Sequence, residues 1–106
     1  MITAKEAFEK TKIGYDNYIN KVKKIVKDEL ENYITEKIEI AIDAGNFTSD
    51  YWWSLSWFED QNIRPEDFLN YMKYDLEFFG YKVETYHNEE RGIIWIYWDV
   101  EEEDNG

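Results

Sequence analysis

The chain has 106 residues, of which 24 are acidic and 12 basic, and its formal net charge is −12. It contains no cysteine, which excludes a disulfide scaffold and a thiolate metal site. No apolar run approaches the roughly 18 residues of a membrane span. The first residues also lack the basic and apolar regions of a signal peptide, so we expect a cytoplasmic protein without membrane contact.

Charge and aromatic side chains are concentrated in the second part of the chain. Residues 1–44 hold nine acidic and eight basic side chains, whereas residues 45–106 hold fifteen acidic and four basic ones. The second segment also holds sixteen of the twenty aromatic residues. Because disordered acidic chains are poor in aromatic residues, this segment is expected to be folded and anionic. Its charge disfavours direct binding to nucleic acid and favours a basic protein partner.

A short helix is predicted near the beginning of the chain. Thr3 and Glu6 have the spacing of a capping box, which predicts that the helix begins at Ala4. The same pattern is expected to carry Ala7 and Phe8 toward the core.

A long amphipathic helix is predicted from Tyr15 to Ala44, after a kink or break at Gly14. Gly45 offers the left-handed conformation with which helices commonly end. One face of this helix repeats apolar residues at steps of three and four, namely Ile19, Val22, Val26, Leu30, Ile34, Ile38 and Ala41.

Residues 51–58 carry two competing patterns. Trp53, Leu55 and Trp57 alternate with serines, which favours a strand. A helix is the alternative, because residues at steps of three and four also form an apolar set, namely Tyr51, Trp52, Leu55 and Phe58.

A second amphipathic helix is predicted to begin at Pro65 and to end at Gly80. Its core face comprises Phe68, Leu69, Met72, Leu76 and Phe79. A second stripe on the same helix, formed by Tyr71, Tyr74 and Phe78, is expected to face elsewhere.

The rest of the chain predicts an antiparallel hairpin. Residues 81–87 and 93–100 read as strands joined by a loop over 88–92. Both faces of the second strand are apolar, which is typical of a strand that is central or covered on both sides. Residues 101–106 read as an acidic flexible tail. The sequence therefore predicts a single α+β domain over 1–100, in which a three-stranded, mainly antiparallel sheet packs on helices.

Acidic side chains are the first candidate for partner binding. Basic residues are scarce in the same segment, so the acidic side chains repel one another without internal partners. We therefore expect these acidic side chains to bind a partner, and the alternative is that they serve solubility alone. The candidate residues are Glu59, Asp60, Glu66, Asp67, Asp75, Glu77, Glu89, Glu90, Glu101 and Glu102.

Aromatic side chains are the second candidate, because exposed tyrosine and tryptophan residues supply many interface anchors. The candidates are Tyr71, Tyr74, Trp95 and Tyr97. A homodimer or other self-association through such residues is the alternative to a foreign partner. His87 is the only histidine and reads as an exposed turn residue. No catalytic motif, metal site or cofactor site is predicted.

The overall pattern resembles a class of small phage proteins with host-directed functions. The matching stretches are residues 2–7, 38–46, 79–83 and 93–98. Many acidic proteins of similar size in phages look like nucleic-acid mimics that occupy the basic groove of a host defence nuclease, a CRISPR effector or another DNA-binding protein. The resemblance implies a non-catalytic inhibitor, such as an anti-CRISPR protein. It carries over no functional residue, because that class shares charge and not a motif.

Overall fold

The computed structural model describes residues 1–99 and confirms the α+β fold. Its elements in chain order are α1 (Ala4–Glu29), a π-helical turn (Leu30–Ile34), α2 (Thr35–Asp43), β1 (Thr48–Ser54), α3 (Leu55–Gln61), α4 (Pro65–Phe78), β2 (Lys82–His87) and β3 (Arg91–Tyr97). The predicted tail lies outside the described residues. Among residues 1–99, no helix combines the length and the apolar character needed to cross a membrane.

Residues 4–43 are helical without a gap and form one rod, so the predicted break at Gly14 between a short and a long helix was wrong. The capping box is present, since the amide of Glu6 donates to Thr3 Oγ1 at 3.1 Å and the amide of Thr3 donates to Glu6 Oε1 at 3.0 Å. Gly14 does not interrupt α1, because a glycine costs only about 1 kcal/mol relative to alanine in a helix. Phe8 does not reach the core and is 69% exposed, because α1 extends beyond the body of the protein at this end.

A π-helical turn corrects the direction of the apolar face of the rod. Apolar residues four apart drift by about 40° at each step around an α-helix, so a long series would leave the core. The turn closes with the amide and the hydroxyl of Thr35 both donating to the carbonyl of Leu30, the latter at 2.6 Å. This extra residue in the turn rotates the following residues back, and Ile34 and Ile38 are buried like Val22 and Val26.

Helix α4 crosses the core side of the sheet. Phe68, Leu69, Met72 and Leu76 are buried, as the periodicity predicted, but Phe79 is exposed because the helix has already ended at this residue. Phe68 lies at the centre of an aromatic cluster, with its ring centroid 4.8 Å from that of Trp53, 5.2 Å from that of Trp57 and 5.6 Å from that of Phe58. Gly80 follows with a φ of 97°, which is the predicted helix end.

Both interpretations of residues 51–58 were partly right. Strand β1 runs to Ser54, and helix α3 then begins at Leu55. Ser54 makes this change possible because its hydroxyl accepts the amide of Trp57 at 3.3 Å and so caps the helix. Trp53 is therefore a strand residue in the core, while Phe58 is a helix residue in the same core.

The sheet has the order β1-β3-β2, and both strand pairs are antiparallel. The prediction that the last strand is central is confirmed. The connecting turn is shorter than predicted, because the side chain of Asn88 accepts the amides of Glu90 and Arg91 at 2.8 and 3.0 Å. Strand β3 consequently begins at Arg91 and includes Gly92, which the sequence had assigned to the loop.

Gly92→Ala is expected to lower the free energy of unfolding by about 1–3 kcal/mol. A Cβ atom at this position would lie 3.0 Å from Phe58 Cζ and 3.2 Å from Leu69 Cδ1, and both side chains are almost fully buried. Urea denaturation measures the change. Gly14→Ala is the matched control, because nothing lies within 4 Å of its added Cβ. Equal stabilities of the two variants would contradict the close packing at Gly92.

Glu29 and Trp53 form the hydrogen bond that ties the rod to β1, with Trp53 Nε1 donating to Glu29 Oε1 at 2.7 Å. Glu29→Ala leaves the buried indole N–H without a partner and should cost about 1–3 kcal/mol. Glu29→Gln keeps an acceptor and should cost less.

The pH dependence of Glu29→Gln tests the same site. Burial raises the pKa of Glu29, although the bond from Trp53 opposes this change. The folded state therefore holds this proton more tightly, so the contribution of Glu29 to stability falls as pH rises through its ordinary and raised pKa. Thermal unfolding should show Glu29→Gln gaining stability relative to the parent chain from acid to neutral pH. A loss of stability of Glu29→Gln relative to the parent chain over the same pH range would contradict the raised pKa of Glu29.

Candidate protein-binding surfaces

One face of the sheet is covered by helices, and the other, which we term the sheet face, points away from them. Along β3, Gly92, Ile94 and Ile96 are buried, while the alternate residues remain partly accessible. Directly paired residues in antiparallel strands share a face, so the strand register assigns the remaining members. The sheet face consists of Thr48, Asp50, Trp52, Ser54, Lys82, Glu84, Tyr86, Arg91, Ile93, Trp95 and Tyr97.

The middle row of the sheet face places an indole between two carboxylates. Trp95 of β3 pairs with Asp50 of β1 on one side and with Glu84 of β2 on the other. Both carboxylates are exposed, and the indole is half-buried. An aromatic ring flanked by negative charge is a favourable place for a guanidinium or ammonium group. This row can therefore take a basic side chain from a partner.

The next row supplies apolar contact area. Ile93 lies between Trp52 and Tyr86, and each of these two rings is 52% exposed. Arg91 places its guanidinium 4.9 Å from the centroid of the Trp52 ring. The chain thus already contains, on this face, the type of stacking that an arginine from a partner would make with Trp95.

Tyr97 is the predicted aromatic residue at the far end of the sheet face. Its hydroxyl donates to Glu84 Oε1 at 3.3 Å. Partial burial raises the pKa of Tyr97, and the negative charge of Glu84 raises it further. The phenol of Tyr97 therefore stays neutral, and its hydroxyl group continues to donate a hydrogen bond to Glu84.

Four of the predicted acidic residues lie on α3 and on the β2–β3 turn, which are joined at one end of the sheet. The amide of Leu55 donates to the carbonyl of Glu90 at 2.9 Å, which joins the β2–β3 turn to the start of α3. Glu89 and Glu90 therefore lie near α3, whose last turn carries Glu59 and Asp60. These exposed carboxylates, with Glu66 in the first turn of α4, form what we term the acidic end.

Asp67 differs from its neighbours because its carboxylate has internal partners. Tyr18 donates its hydroxyl to Asp67 Oδ2 at 2.8 Å, and Arg64 Nε donates to the same oxygen at 2.9 Å. The amide of Arg64 in turn donates to the hydroxyl of Tyr18 at 2.9 Å. This network holds the start of α4 against α1. Asp67 is therefore a structural residue as well as a candidate binding residue.

The second aromatic stripe of α4 lines a groove between α4 and the rod, which we term the helix groove. The groove has a volume of about 1330 Å³, and its walls include Leu30, Ile34, Ile38, Tyr71, Tyr74, Asp75, Phe78 and Phe79. Lys23 places its Nζ 5.5 Å from the centroid of the Tyr71 ring.

The structure separates the remaining candidates from the acidic end. Asp75 borders the helix groove, and Glu77 lies close to the C-terminal end of α4. Eleven helical residues, or about 16 Å, separate Glu66 from Glu77. Glu101 and Glu102 lie outside the described residues.

Sequence reasoning named Trp95 and Tyr97 but missed their neighbours on the sheet face. Asp50 was missed because the strand was predicted to begin at 51, and Trp52 was considered only in the apolar set of the alternative helix. Glu84 and Tyr86 alternate with Val83 and Thr85, so the pattern could have identified them as outward residues of β2. Their position beside Trp95 follows only from the register of the sheet.

No group of three or more histidine, aspartate and glutamate side chains within residues 1–99 has an arrangement that could hold a metal ion. His87 is exposed at the end of β2, as expected for a turn residue. No protein-family model matches the chain, and neither a curated protein nor a solved structure matches it.

Glu84→Gln is expected to lower the pKa of Tyr97 toward its ordinary value, because the substitution removes the neighbouring negative charge. NMR titration of a ring-labelled Tyr97 measures this pKa. Glu89→Gln, a loop carboxylate that the structure does not pair with Tyr97, is the matched control. An unchanged or higher pKa in Glu84→Gln would contradict the contact.

Proposed function

We propose that this protein is a non-catalytic inhibitor that binds a basic, nucleic-acid-binding surface of another protein. The observation that carries the proposal is the middle row of the sheet face, Asp50, Trp95 and Glu84. A partner's arginine or lysine stacks on the indole and pairs with a flanking carboxylate. Trp52 and Tyr86 bury apolar surface around this contact, in the way that aromatic residues anchor protein interfaces.

The acidic end extends the contact. Residues 45–99 carry eleven acidic and four basic side chains, and five of these carboxylates form the acidic end, where the potential is negative. A surface that binds the phosphate backbone of a nucleic acid is positive and is attracted to this potential. The bound inhibitor then blocks the nucleic acid by occupying its place. The resemblance to phage proteins makes host defence proteins, including CRISPR effectors, the first partners to test.

The test is capture of host-cell proteins on the immobilised chain after nuclease treatment, at low and at moderate salt. We expect nucleic-acid-binding proteins to be retained at low salt and released by moderate salt, because exposed charges are screened. Each captured protein is then titrated with duplex DNA and with this chain. Competition between the two ligands is the expected result.

Asp50→Lys with Glu84→Lys should abolish both capture and competition. Asp28→Lys with Glu36→Lys is the matched control, because it changes the net charge equally at exposed positions of the rod. If both double variants lose capture and competition equally, binding depends on the overall charge and not on the sheet face. Capture that is indifferent to salt, or a complex that still binds DNA normally, would overturn the proposal.

Self-assembly is the second candidate function, and the helix groove favours it. Phe78 is 81% exposed beside Phe79 and Tyr74, which gives copies of the chain an apolar surface for association. Light scattering of the parent chain and of Phe78→Ser with Phe79→Ser separates the two functions. Large assemblies that the double substitution disperses, without a basic partner, would favour an assembly protein.

A further inference from the structure

The first turns of α1 form an arm that projects beyond the body. Residues 4–17 are exposed except for Ala7, and among the described residues no hydrogen bond or ion pair joins them to another element. Contact with the body begins at Tyr18 through its bonds to Asp67 and Arg64. The arm is about 21 Å long. A helix of this length has marginal stability in water unless its apolar face is covered.

The apolar face of the arm continues the face that is buried in the core. Phe8 and Tyr15 are seven residues apart, and Val22 follows after another seven. Val22 is fully buried, whereas Phe8 is 69% and Tyr15 55% exposed. Ala4 precedes Phe8, and Thr11 lies between Phe8 and Tyr15, so these four residues follow one another at alternating steps of four and three, which is the spacing of a helix-pairing seam.

We propose that a second copy of this chain covers the arm, with the two arms packed antiparallel about a two-fold axis near Lys10. In this arrangement, Phe8 of each copy lies between Thr11 and Tyr15 of the other, and Tyr15 lies between Ala4 and Phe8. Each large ring meets a small residue, so the seam can interdigitate. Because the same patch is used on both copies, the assembly closes as a dimer.

The charges on one flank of the arm commit the pairing to a second copy in antiparallel orientation. Lys5, Glu9, Lys12 and Asp16 follow one another along this flank at steps of four, three and four. Reversing their order places Lys5 opposite Asp16 and Glu9 opposite Lys12, so all four contacts join opposite charges. In a parallel pair, this flank of each copy would face the opposite flank of the other, so the four charged residues would not meet.

The opposite flank and the length of the arm fit the same arrangement. Ala7 and Gly14 lie on this flank and, by the same symmetry, face each other across the axis. Small residues at these positions let the two backbones approach closely. Antiparallel pairing over residues 4–17 brings the first residues of one copy to Tyr18 of the other, where the body begins. The arm of one copy therefore lies along the whole arm of the other and ends where the body of that copy begins.

Sedimentation velocity over a range of concentrations tests the dimer with two charge-matched variants. Phe8→Asp should give a monomer at concentrations where the parent chain is dimeric. Ile13→Asp should leave the dimer intact, because Ile13 is 62% exposed on the opposite side of the arm. Neither side chain supports the body, so both variants should fold, as circular dichroism will show. A parent chain that is monomeric at every concentration, or equal dissociation in both variants, overturns the proposal.

A charge exchange tests the flank. Lys5→Glu with Lys12→Glu should weaken the dimer at low salt by at least tenfold, because four attractive contacts become repulsive. Adding Glu9→Lys and Asp16→Lys to the same chain should restore it, because every contact is again between opposite charges. A quadruple variant as weak as the double variant contradicts antiparallel pairing.

Cysteine substitution tests the direction, since the natural chain contains no cysteine. Under mild oxidation, a mixture of Ala4→Cys and Tyr15→Cys chains should form the mixed disulfide in preference to either homodimer. Disulfides that form mainly between identical chains indicate parallel pairing and overturn the arrangement. None of these results depends on the proposed inhibitor function, because the sheet face is unchanged in every arm variant.

Discussion

The fold depends on keeping one face of a very long helix directed at a single core. Val22 and Val26 before the π-helical turn, and Ile34 and Ile38 after it, are all buried. Each such side chain stabilises the fold by roughly 1.5–3 kcal/mol when it is withdrawn from water. Without the extra residue, the series would rotate away from the sheet and expose its second half. The bonds from Thr35 to Leu30 are therefore what allow α1 and α2 to share one core.

That core also determines which surface of the sheet is free. The rod, α3 and α4 all lie against the side that carries Trp53, Val83 and Ile94. The outward residues of β3 are nevertheless large and apolar, which a purely structural role in a half-exposed sheet would not require. Carboxylates from both edge strands flank Trp95, which gives this surface its chemistry. A cationic side chain is the ligand that we propose for this combination of ring and charge.

The rod extends well beyond the core that it organises. The molecule measures 62 Å along its longest axis and 34 and 23 Å along the others. A capping box at the outer end fixes where the helix begins, although that end is exposed and no other element within residues 1–99 packs against it. Paired arms would place the two bodies at opposite ends of a two-helix connection, so the dimer would present two sheet faces. Such an arrangement would increase the avidity for a partner that repeats its basic surface.

The sequence by itself determined the local structure wherever a single side chain or a strict period is sufficient. The capping box at Thr3, the helix ends at Gly45 and Gly80, and the burial of Phe68 and Leu69 all follow from local rules. The concentration of negative charge in the second part of the chain was equally visible. These features depend on neighbours within one turn or on composition, which the sequence contains directly.

Only the tertiary structure decided the features that depend on contacts between distant residues. The change from strand to helix at Ser54, the burial of Gly92 against Phe58 and the internal role of Asp67 are of this kind. The order β1-β3-β2 brings Asp50 to Trp95 from a position 45 residues before it, whereas Glu84 comes from the other strand of the predicted hairpin. Pairing between strands so far apart is decided by the best packing of the whole core, and no local period encodes it.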